Sequence, residues 1–220
     1  MKNKELAKKI ILSNIQNYQV ADRDVENIYY KANDIGAKAV LIGGASLGVA
    51  ARFASRPAAT AVACAYPSGA VDAALKAFEI TDALAKKGDI CCFFVSAAMG
   101  WFQSGHADDL RAEMQAAVAA AKGAGVWFIV ELTQMSAEQI KSFCDIAKEE
   151  GVCGIMTSTD FYPYELPVAG PDEIKALRAV TDLQIAAPTK SGDEADWQAL
   201  IDAGADLVIV NADKVPAGDA

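Results

Sequence analysis

Residues 151–161, Gly-Val-Cys-Gly-Ile-Met-Thr-Ser-Thr-Asp-Phe, combine a short apolar run with a polar end. The apolar part predicts a buried β-strand over residues 153–158, and the polar part predicts a strand tip that reaches solvent. A helical pattern precedes this stretch at residues 136–149, and another follows it at residues 171–180. Helix, buried strand and helix in succession indicate a parallel sheet whose faces are covered by helices.

The same alternation continues along the chain in both directions. Apolar runs predict seven further strands, at residues 9–14, 39–43, 60–66, 90–96, 126–131, 183–188 and 206–211. Helical patterns lie between them at residues 22–34, 47–54, 70–86, 108–122 and 193–202. Ser136 with Gln139 resembles a capping box, and Pro171 suits the first turn of a helix. A glycine follows five of the helices, where a left-handed C-cap is expected: Gly36, Gly88, Gly123, Gly151 and Gly204.

Eight strands with helical crossovers in 220 residues predict the α/β class and a (β/α)8 TIM barrel, with residues 1–220 as a single domain. An open doubly wound sheet is the alternative that this pattern leaves open. No G-x-G-x-x-G motif follows a predicted strand, and Gly43-Gly44 with Gly48 is too loosely spaced for a dinucleotide loop. No cofactor is therefore predicted.

The composition limits the possible partners. A formal net charge of −9 argues against a surface for nucleic acid or anionic membranes, because such surfaces need clustered Lys and Arg. No apolar run approaches the roughly 20 residues that cross a bilayer, and the charged residues 1–9 lead into an apolar patch too short for a signal peptide. We expect a cytoplasmic protein whose partner is a small-molecule substrate.

The five cysteines show no paired ligand spacing, so neither a disulfide framework nor a metal site is predicted. Four of them lie in apolar strand-like runs, and we expect buried free thiols: Cys64, Cys91, Cys92, Cys144 and Cys153. Adjacent residues of a strand point to opposite faces of the sheet, so Cys91 and Cys92 should not be able to chelate one ion together.

Ligands of a barrel bind at the carboxyl ends of its strands. These ends carry a polar rim: Ser13, Asn14, Asn17, Gly43, Gly44, Tyr66, Ser96, Met99, Trp101, Gln103, Glu131, Thr133, Thr157, Thr159, Asp160, Pro188, Thr189, Lys190, Asn211 and Asp213. Such a rim is typical of a small-molecule pocket. The predicted substrate-binding residues are Asn14, Tyr66, Ser96, Thr157, Thr159 and Asn211.

Three rim residues are the catalytic candidates. Glu131 ends an apolar strand, where partial burial would raise its pKa toward the range useful for proton transfer; a structural carboxylate bound to neighbouring hydroxyls is the alternative. Asp160 is a second possible base or a turn residue. Lys190, at a strand tip, is a possible electrophile or a solvated loop lysine. His106, the only histidine, is expected to cap a helix or to lie in solvent.

Five segments in order resemble the deoxyribose-phosphate aldolase family and span nearly the whole chain: Tyr66-Pro67-Ser68-Gly69-Ala70, Ser104-Gly105, the run from Glu131 to Ile140, residues 151–161, and Ala203-Gly204-Ala205-Asp206. The resemblance implies an aldolase barrel, carbon–carbon lyase chemistry and a possible homodimer. It also implies that the family's Schiff-base lysine falls on Met156.

The other functional positions of the family also differ here. Its second lysine falls on Ala186 without gaps, although a shifted alignment would place Lys190 there. Its proton-relay aspartate falls on Phe93 or Phe94. The phosphate loops become Thr189-Lys190 and Ile209-Val210-Asn211, and Asp160 replaces a glycine near the phosphate, where it adds a like charge.

Two functions remain open on the sequence alone. One is a diverged aldolase-like enzyme that performs carbon–carbon cleavage or enolisation on a small, unphosphorylated carbonyl or polyol compound, with Glu131 or Asp160 as the acid or base. The other is a non-catalytic binding or scaffold protein that keeps the barrel.

Overall fold

The computed structural model describes residues 3–53, 57–86, 89–161 and 166–215. Within them lie eight strands: β1 Ile10–Ser13, β2 Ala39–Gly43, β3 Ala59–Cys64, β4 Ile90–Ser96, β5 Gly125–Ile129, β6 Gly154–Met156, β7 Gln184–Thr189 and β8 Leu207–Asn211. β2 and β4 match the predicted bounds, and the other strands differ from them by one or two residues at an end.

The same parts of the chain contain these α-helices: α1 Lys4–Ala7, α2 Asp22–Ile35, α3 Leu47–Ala50, α4 Ala73–Lys86, α5 Met99–Gln103, α6 Ala107–Ala120, α7 Ala137–Glu149, α8 Pro171–Val180 and α9 Glu194–Asp202. α1 and α5 were not predicted, because helices this short show no periodicity. The predicted helix 47–54 ends as a 3-10 turn at Ala51–Phe53, and residue 54 and Gly88 lie outside the described residues. No described helix is long and apolar enough to span a bilayer.

Local signals in the sequence place several helix ends correctly. The Ser136 hydroxyl accepts a hydrogen bond from the Gln139 N–H at 3.2 Å, and the Ser136 N–H donates to the Gln139 side chain at 2.8 Å. Pro171 is the first residue of α8, and Gly36 ends α2 in the left-handed conformation with φ of 74°. The capping box and these two helix boundaries are therefore confirmed.

The eight strands form a closed parallel barrel in chain order. Each strand pairs with the next one, and β1 pairs with β8 from Ile10 opposite Val208 to Ser13 opposite Asn211. The predicted (β/α)8 barrel is confirmed, and the open doubly wound sheet is excluded because its edge strands would not pair with each other.

Two apolar layers are separated by the sheet. The larger layer lies between the strands and the helices and includes Leu12, Val40, Phe93 and Ile155. The smaller layer fills the inside of the barrel with Ile11, Ile15, Ala39, Leu41, Ala61, Ala63, Phe94, Trp127, Ile129, Met156, Ala186, Leu207 and Ile209. Residues two apart on a strand point to the same side of the sheet. The interior-facing side chains at the carboxyl ends of the strands therefore point toward the mouth of the barrel.

Two stacked rings occupy the interior of the barrel. Phe94 and Trp127 lie with their ring centroids 5.4 Å apart and their planes 23° apart. The Trp127 ring covers Gly154 so closely that a β-carbon at Gly154 would lie 2.5 Å from two ring atoms and 2.6 Å from the Gln184 carbonyl oxygen. Glycine is therefore required on β6 by the packing of its neighbours, since its backbone φ is ordinary.

A buried ion pair joins α4 to α6 outside the barrel. The Lys76 ammonium lies 2.6 Å from the Glu113 carboxylate, with side-chain exposures of 0% and 8%. Glu113 also accepts a hydrogen bond from the Ala98 N–H at 3.4 Å. Burial lowers the pKa of Lys76 and raises that of Glu113, while the attraction between the two groups opposes both shifts.

Two expectations about the cysteines were wrong. Cys64 and Cys144 are buried, but Cys91 and Cys153 are exposed, and Cys92 is half-buried. The register of β4 against β3 shifts between Thr60 and Ala61, so that Ile90 and Cys92 take consecutive partners and Cys91 is the extra residue of a β-bulge. The bulge brings the sulfurs of Cys91 and Cys92 to 3.5 Å instead of placing them on opposite faces.

Candidate active site at the carboxyl ends of the strands

A cavity of about 580 Å³ opens between the loops that follow β6, β7 and β8. The residues around it are Gln16, Asn17, Ser158, Thr159, Asp160, Phe161, Leu166, Thr189, Lys190, Asn211, Asp213 and Lys214. It brings together four of the predicted site residues: Thr159, Asp160, Lys190 and Asn211. We call this cavity the β6–β8 pocket.

Glu131 stabilises the carboxyl end of β6 through hydrogen bonds. Its carboxylate accepts hydrogen bonds from the Ser158 hydroxyl at 2.8 Å, the Thr159 N–H at 2.8 Å and the Thr159 hydroxyl at 2.5 Å. These contacts correspond to the structural alternative, a carboxylate bound to neighbouring hydroxyls and backbone. Glu131 thus holds Thr159, and with it the backbone that leads into Asp160.

Asp160 is presented to the pocket by an unusual backbone conformation. Its φ of 51° is in the left-handed region, which residues other than glycine rarely adopt. The Asp160 N–H donates to the Ser158 hydroxyl at 3.0 Å. Burial raises the pKa of Asp160; the charge of Glu131 acts in the same direction, whereas Lys190 opposes the shift.

Tyr66, which follows β3, contacts two residues that line the pocket. Its hydroxyl donates to the Thr159 carbonyl oxygen at 2.9 Å, and its ring meets Phe161 edge-on with the centroids 5.7 Å apart. Burial, together with the charges of Asp160 and Glu131, raises the pKa of the Tyr66 phenol. Tyr66 therefore stays a neutral hydrogen-bond donor next to the carboxylates.

Lys190 lies at the outer edge of the pocket. Its side chain is exposed, and its ammonium donates to the Leu166 carbonyl oxygen at 3.3 Å. The positive charge of Lys190 partly opposes the rise in the pKa of Asp160, so the two groups interact electrostatically. Lys214, from the 3-10 turn Ala212–Lys214 after β8, is a second cation of the same pocket.

Four predicted substrate-binding residues lie outside the lining of this pocket: Asn14, Tyr66, Ser96 and Thr157. Asn14 lines a second cavity of about 530 Å³ over β1 to β3, which also includes Tyr66. Ser96 and Thr157 are almost completely buried, and neither hydroxyl has a hydrogen-bond partner among the described residues. Their predicted role in binding substrate remains untested.

The positions that the resemblance assigns to the two lysines are sealed inside the barrel. Met156 pairs with Ala186 on the neighbouring strand, and both residues are 0% exposed. Phe94 lies in the same interior layer, whereas Phe93 faces the helices. The register places Ala186 beside Met156, and Lys190 lines the β6–β8 pocket.

The corner of the barrel that commonly binds phosphate is occupied by its own hydrogen bonds. In TIM barrels this corner is formed by the loops after β7 and β8. Here the Ser191 N–H donates to the Thr189 hydroxyl at 3.1 Å, and the Asp213 N–H donates to the Asn211 side chain at 2.9 Å. At the start of α9, the Asp193 carboxylate accepts from the Ala195 N–H. These three N–H groups are not free to bind an anion.

Sequence reasoning missed Ser158, which donates to the Glu131 carboxylate and accepts from the Asp160 N–H, and Gln16, which lines the pocket. Ser158 could have been found from the alternation along β6, since Gly154, Met156 and Ser158 are two residues apart and face the same side. No comparable signal singles out Gln16, because its place in the lining depends on the path of the loop after β1.

No family model matches the chain. A deoxyribose-phosphate aldolase from Staphylococcus carnosus is 30% identical over 149 residues, which are 67% of this chain and 66% of that protein. The deoxyribose-phosphate aldolase 1 of Staphylococcus aureus is 25% identical over 191 residues, 86% of this chain and 84% of that protein. The chain belongs to the deoxyribose-phosphate aldolase family.

Solved structures agree on the fold. The aldolase QR15 superposes with a TM-score of 0.87 at 20% identity, covering 96% of this chain and 93% of that one. A tetrameric deoxyribose-phosphate aldolase from Aeropyrum pernix gives a TM-score of 0.85 at 20% identity, with coverages of 96% and 89%. This member of the deoxyribose-phosphate aldolase family therefore keeps the aldolase barrel, and Phe94, Met156 and Ala186 lie inside it.

The structural role of Glu131 can be tested by substitution. We expect Glu131→Ala to lower the free energy of unfolding by about 2–3 kcal/mol, because three donors lose a shared charged acceptor. Urea titration followed by circular dichroism measures the change. Glu138→Ala, at an exposed position on α7, is the matched control and should change stability by less than about 0.5 kcal/mol. Equal stability of the two variants would show that the Glu131 network contributes little.

Proposed function

We propose that this protein is an enzyme that uses the β6–β8 pocket for carbon–carbon cleavage or enolisation of a small, unphosphorylated carbonyl or polyol compound, without an imine at position 156. The observation that carries the proposal is Asp160, a partly buried carboxyl group of raised pKa that lines the same open cavity as Lys190. A base and a cation in the lining of one cavity suit proton transfer next to a carbonyl group.

The proposed roles follow from the charges of the pocket. Ionised Asp160 removes a proton, either from the carbon next to the substrate carbonyl or from the hydroxyl group of a β-hydroxy carbonyl compound. Removal of the hydroxyl proton lets the adjacent carbon–carbon bond break, which gives an aldehyde and an enolate. Lys190 stabilises the negative oxygen of the enolate, and the proton held by Asp160 completes the product. Glu131 and Thr159 keep the β6 tip in position.

The balance of charge supports a substrate without phosphate. The β6–β8 pocket has two carboxylates, Asp160 and Asp213, and two ammonium groups, Lys190 and Lys214. A phosphate would gain no net attraction there, and the N–H groups of Ser191 and Asp213 are already bound. Hydroxyl and carbonyl groups fit this set of donors and acceptors better than a dianion does.

We expect Asp160→Asn to lower kcat/KM by roughly 10²–10⁴-fold on a retro-aldol or enolisation substrate, since it removes the general base. In the unsubstituted protein kcat/KM should fall as the pH drops through the pKa of Asp160, because only the ionised form accepts a proton. Burial raises that pKa, so the acidic limb should lie above the ordinary aspartate range. Asp34→Asn, an exposed carboxyl group on α2, is the matched control. Unchanged turnover in Asp160→Asn would remove this residue from the mechanism.

Borohydride trapping with small aldehydes and ketones, followed by peptide mapping, tests the absence of imine chemistry. We expect no reduced adduct on the described lysines, because position 156 has a thioether and Lys190 acts here as an electrostatic group. A stoichiometric adduct on Lys190 that is lost in Lys190→Met would instead show that the imine-forming amine has moved to the loop after β7.

A non-catalytic binding or scaffold protein is the second candidate. It is favoured by the interior of the barrel, where Phe94, Trp127 and Met156 pack against each other instead of presenting polar groups. If metabolite screening by thermal shift identifies ligands of the β6–β8 pocket that are never turned over, the result would support this second function.

We further propose that the chain acts in the cytoplasm as a single-domain homo-oligomer. The Aeropyrum pernix relative is tetrameric, and α4 with the turn before it exposes an apolar stripe of Val71, Leu75 and Phe78. Light scattering coupled to size exclusion measures the state. Phe78→Glu should shift the equilibrium toward the monomer if this stripe is the contact.

A further inference from the structure

The β-bulge at Cys91 creates a pair of thiols at the amino-terminal end of the barrel. Cys91 is exposed, Cys92 is half-buried, and their sulfurs lie 3.5 Å apart at hydrogen-bond distance. This end of a TIM barrel ordinarily contributes to stability, whereas substrates bind at the opposite end. The pair is therefore separate from the β6–β8 pocket, and nothing in the proposed function uses it.

A third thiol and a cation lie near the pair. The Cys92 β-carbon and the Cys153 sulfur each lie 3.5 Å from the point where a β-carbon on Gly125 would be. The absence of a side chain at Gly125 thus leaves space between β4 and the start of β6. The hydrogen bond from Cys92 and the positive charge of Lys38 lower the pKa of Cys91. The hydrogen bond to Cys91 and burial raise the pKa of Cys92, and Lys38 opposes that shift.

The geometry of the pair disfavours a disulfide and favours the chelation of a single centre by both sulfurs. A disulfide usually needs α-carbons 4.4–6.8 Å apart, whereas those of adjacent residues are only about 3.8 Å apart, so a Cys91–Cys92 disulfide would be strained. A single centre bonded to both sulfurs at about 2.3 Å would have a sulfur–centre–sulfur angle of about 100° at the observed 3.5 Å separation. Such an angle is near that of tetrahedral or pyramidal coordination, so capture of one centre requires little movement.

We propose that Cys91 and Cys92 form a chelating dithiol site for a thiophilic centre with two exchangeable ligands and a third substituent of its own, such as a monosubstituted trivalent arsenical. Within the described ranges no three His, Cys, Asp or Glu side chains are arranged to hold a metal ion. A centre that brings its third substituent is therefore a better match for this pair than a bare ion that needs three or four protein ligands.

The reaction is an exchange of ligands without change of oxidation state. Two sulfur–hydrogen bonds and two arsenic–oxygen bonds break, two arsenic–sulfur bonds form, and each thiol proton leaves with a hydroxyl group as water. Cys91 reacts first, because the hydrogen bond from the Cys92 thiol lowers the pKa of Cys91 and because its side chain is exposed. Cys92 then closes the chelate ring.

The full-length reduced protein and phenylarsine oxide provide the test. Intact mass should show one phenylarsenic group per chain, with loss of two titratable thiols that peptide mapping assigns to Cys91 and Cys92. The adduct should resist a monothiol and be removed by a dithiol. Cys91→Ser and Cys92→Ala should each release the group to a monothiol about 10²–10⁴-fold more readily, since the second bond is intramolecular only in the pair.

Cys153→Ser is the matched control, because it removes an exposed thiol next to the pair and should behave as the unsubstituted protein does. Circular dichroism before labelling confirms that each variant is folded; Cys91→Ser changes an exposed side chain and keeps the test valid if Cys92→Ala unfolds. Retention of a monothiol-resistant adduct in Cys91→Ser, or mapping of the adduct to Cys64, Cys144 or Cys153, would overturn the proposal. Ready accumulation of a Cys91–Cys92 disulfide under mild peroxide would also contradict it.

Discussion

Lys76→Met is expected to lower the free energy of unfolding by about 3–5 kcal/mol. The substitution leaves the Glu113 carboxylate without the ammonium group 2.6 Å away, at a side chain that is only 8% exposed. A charge buried without its partner has a large desolvation cost, which exceeds the loss of packing because methionine is about as long as lysine. Chemical denaturation at pH 7, followed by circular dichroism and tryptophan fluorescence, measures the change.

Two further variants separate the charge from the packing. The double variant Lys76→Met with Glu113→Leu should recover most of the lost stability, since it removes both charges. Lys86→Met breaks the Lys86–Asp82 pair at the surface of the same helix, where the side chains are 50% and 42% exposed, and should cost less than about 1 kcal/mol. If Lys76→Met and Lys86→Met were equally stable, the buried pair would contribute no more than a surface pair.

Met156→Lys is expected to lower the free energy of unfolding by roughly 4 kcal/mol or more and to form no imine. The new amine would lie in a fully buried position among Phe94, Trp127 and Ala186, none of which can accept a hydrogen bond through its side chain. Burial of an ammonium group without a partner is opposed by several kcal/mol, and the neutral amine would be sealed from substrate. Denaturation and borohydride trapping with small aldehydes measure the two effects.

Val180→Lys is the matched control for Met156→Lys. Val180 is 48% exposed at the end of α8 and lies outside the apolar stripe of α4, so its replacement by lysine should change stability by less than about 0.5 kcal/mol. A stable Met156→Lys protein that traps aldehydes stoichiometrically would show that the barrel interior opens to solvent and substrate.

The sequence predicted the barrel well because its signals are local and repeated. The apolar run of β4 and the capping box of Ser136 and Gln139 depend only on neighbouring residues, and both are observed as expected. The bulge at Cys91 could not be predicted, because it arises from the register between β3 and β4, which no local pattern specifies.

The site was predictable only in part, because contacts between separate loops also leave no local pattern in the sequence. Asp160 and Lys190 were identified because strand ends meet at one face of a barrel, and they share a pocket. The hydrogen bonds of Glu131 to Ser158 and Thr159 depend on how two loops approach each other. Asp160 in the left-handed conformation had no sequence signal either, since aspartate occurs in turns of many kinds.

The stack of Phe94 on Trp127 above Gly154 also limits how this sequence can evolve. An amine at position 156 requires a polar partner and a path for substrate, and Phe94 and Trp127 occupy the space for both. Replacing either ring alone leaves a cavity, and adding the amine alone buries a charge, so each single step lowers stability before it gives any activity. An imine-forming amine at position 156 is thus separated from the present sequence by an epistatic barrier, whereas the polar loops at the carboxyl ends of the strands can change one substitution at a time.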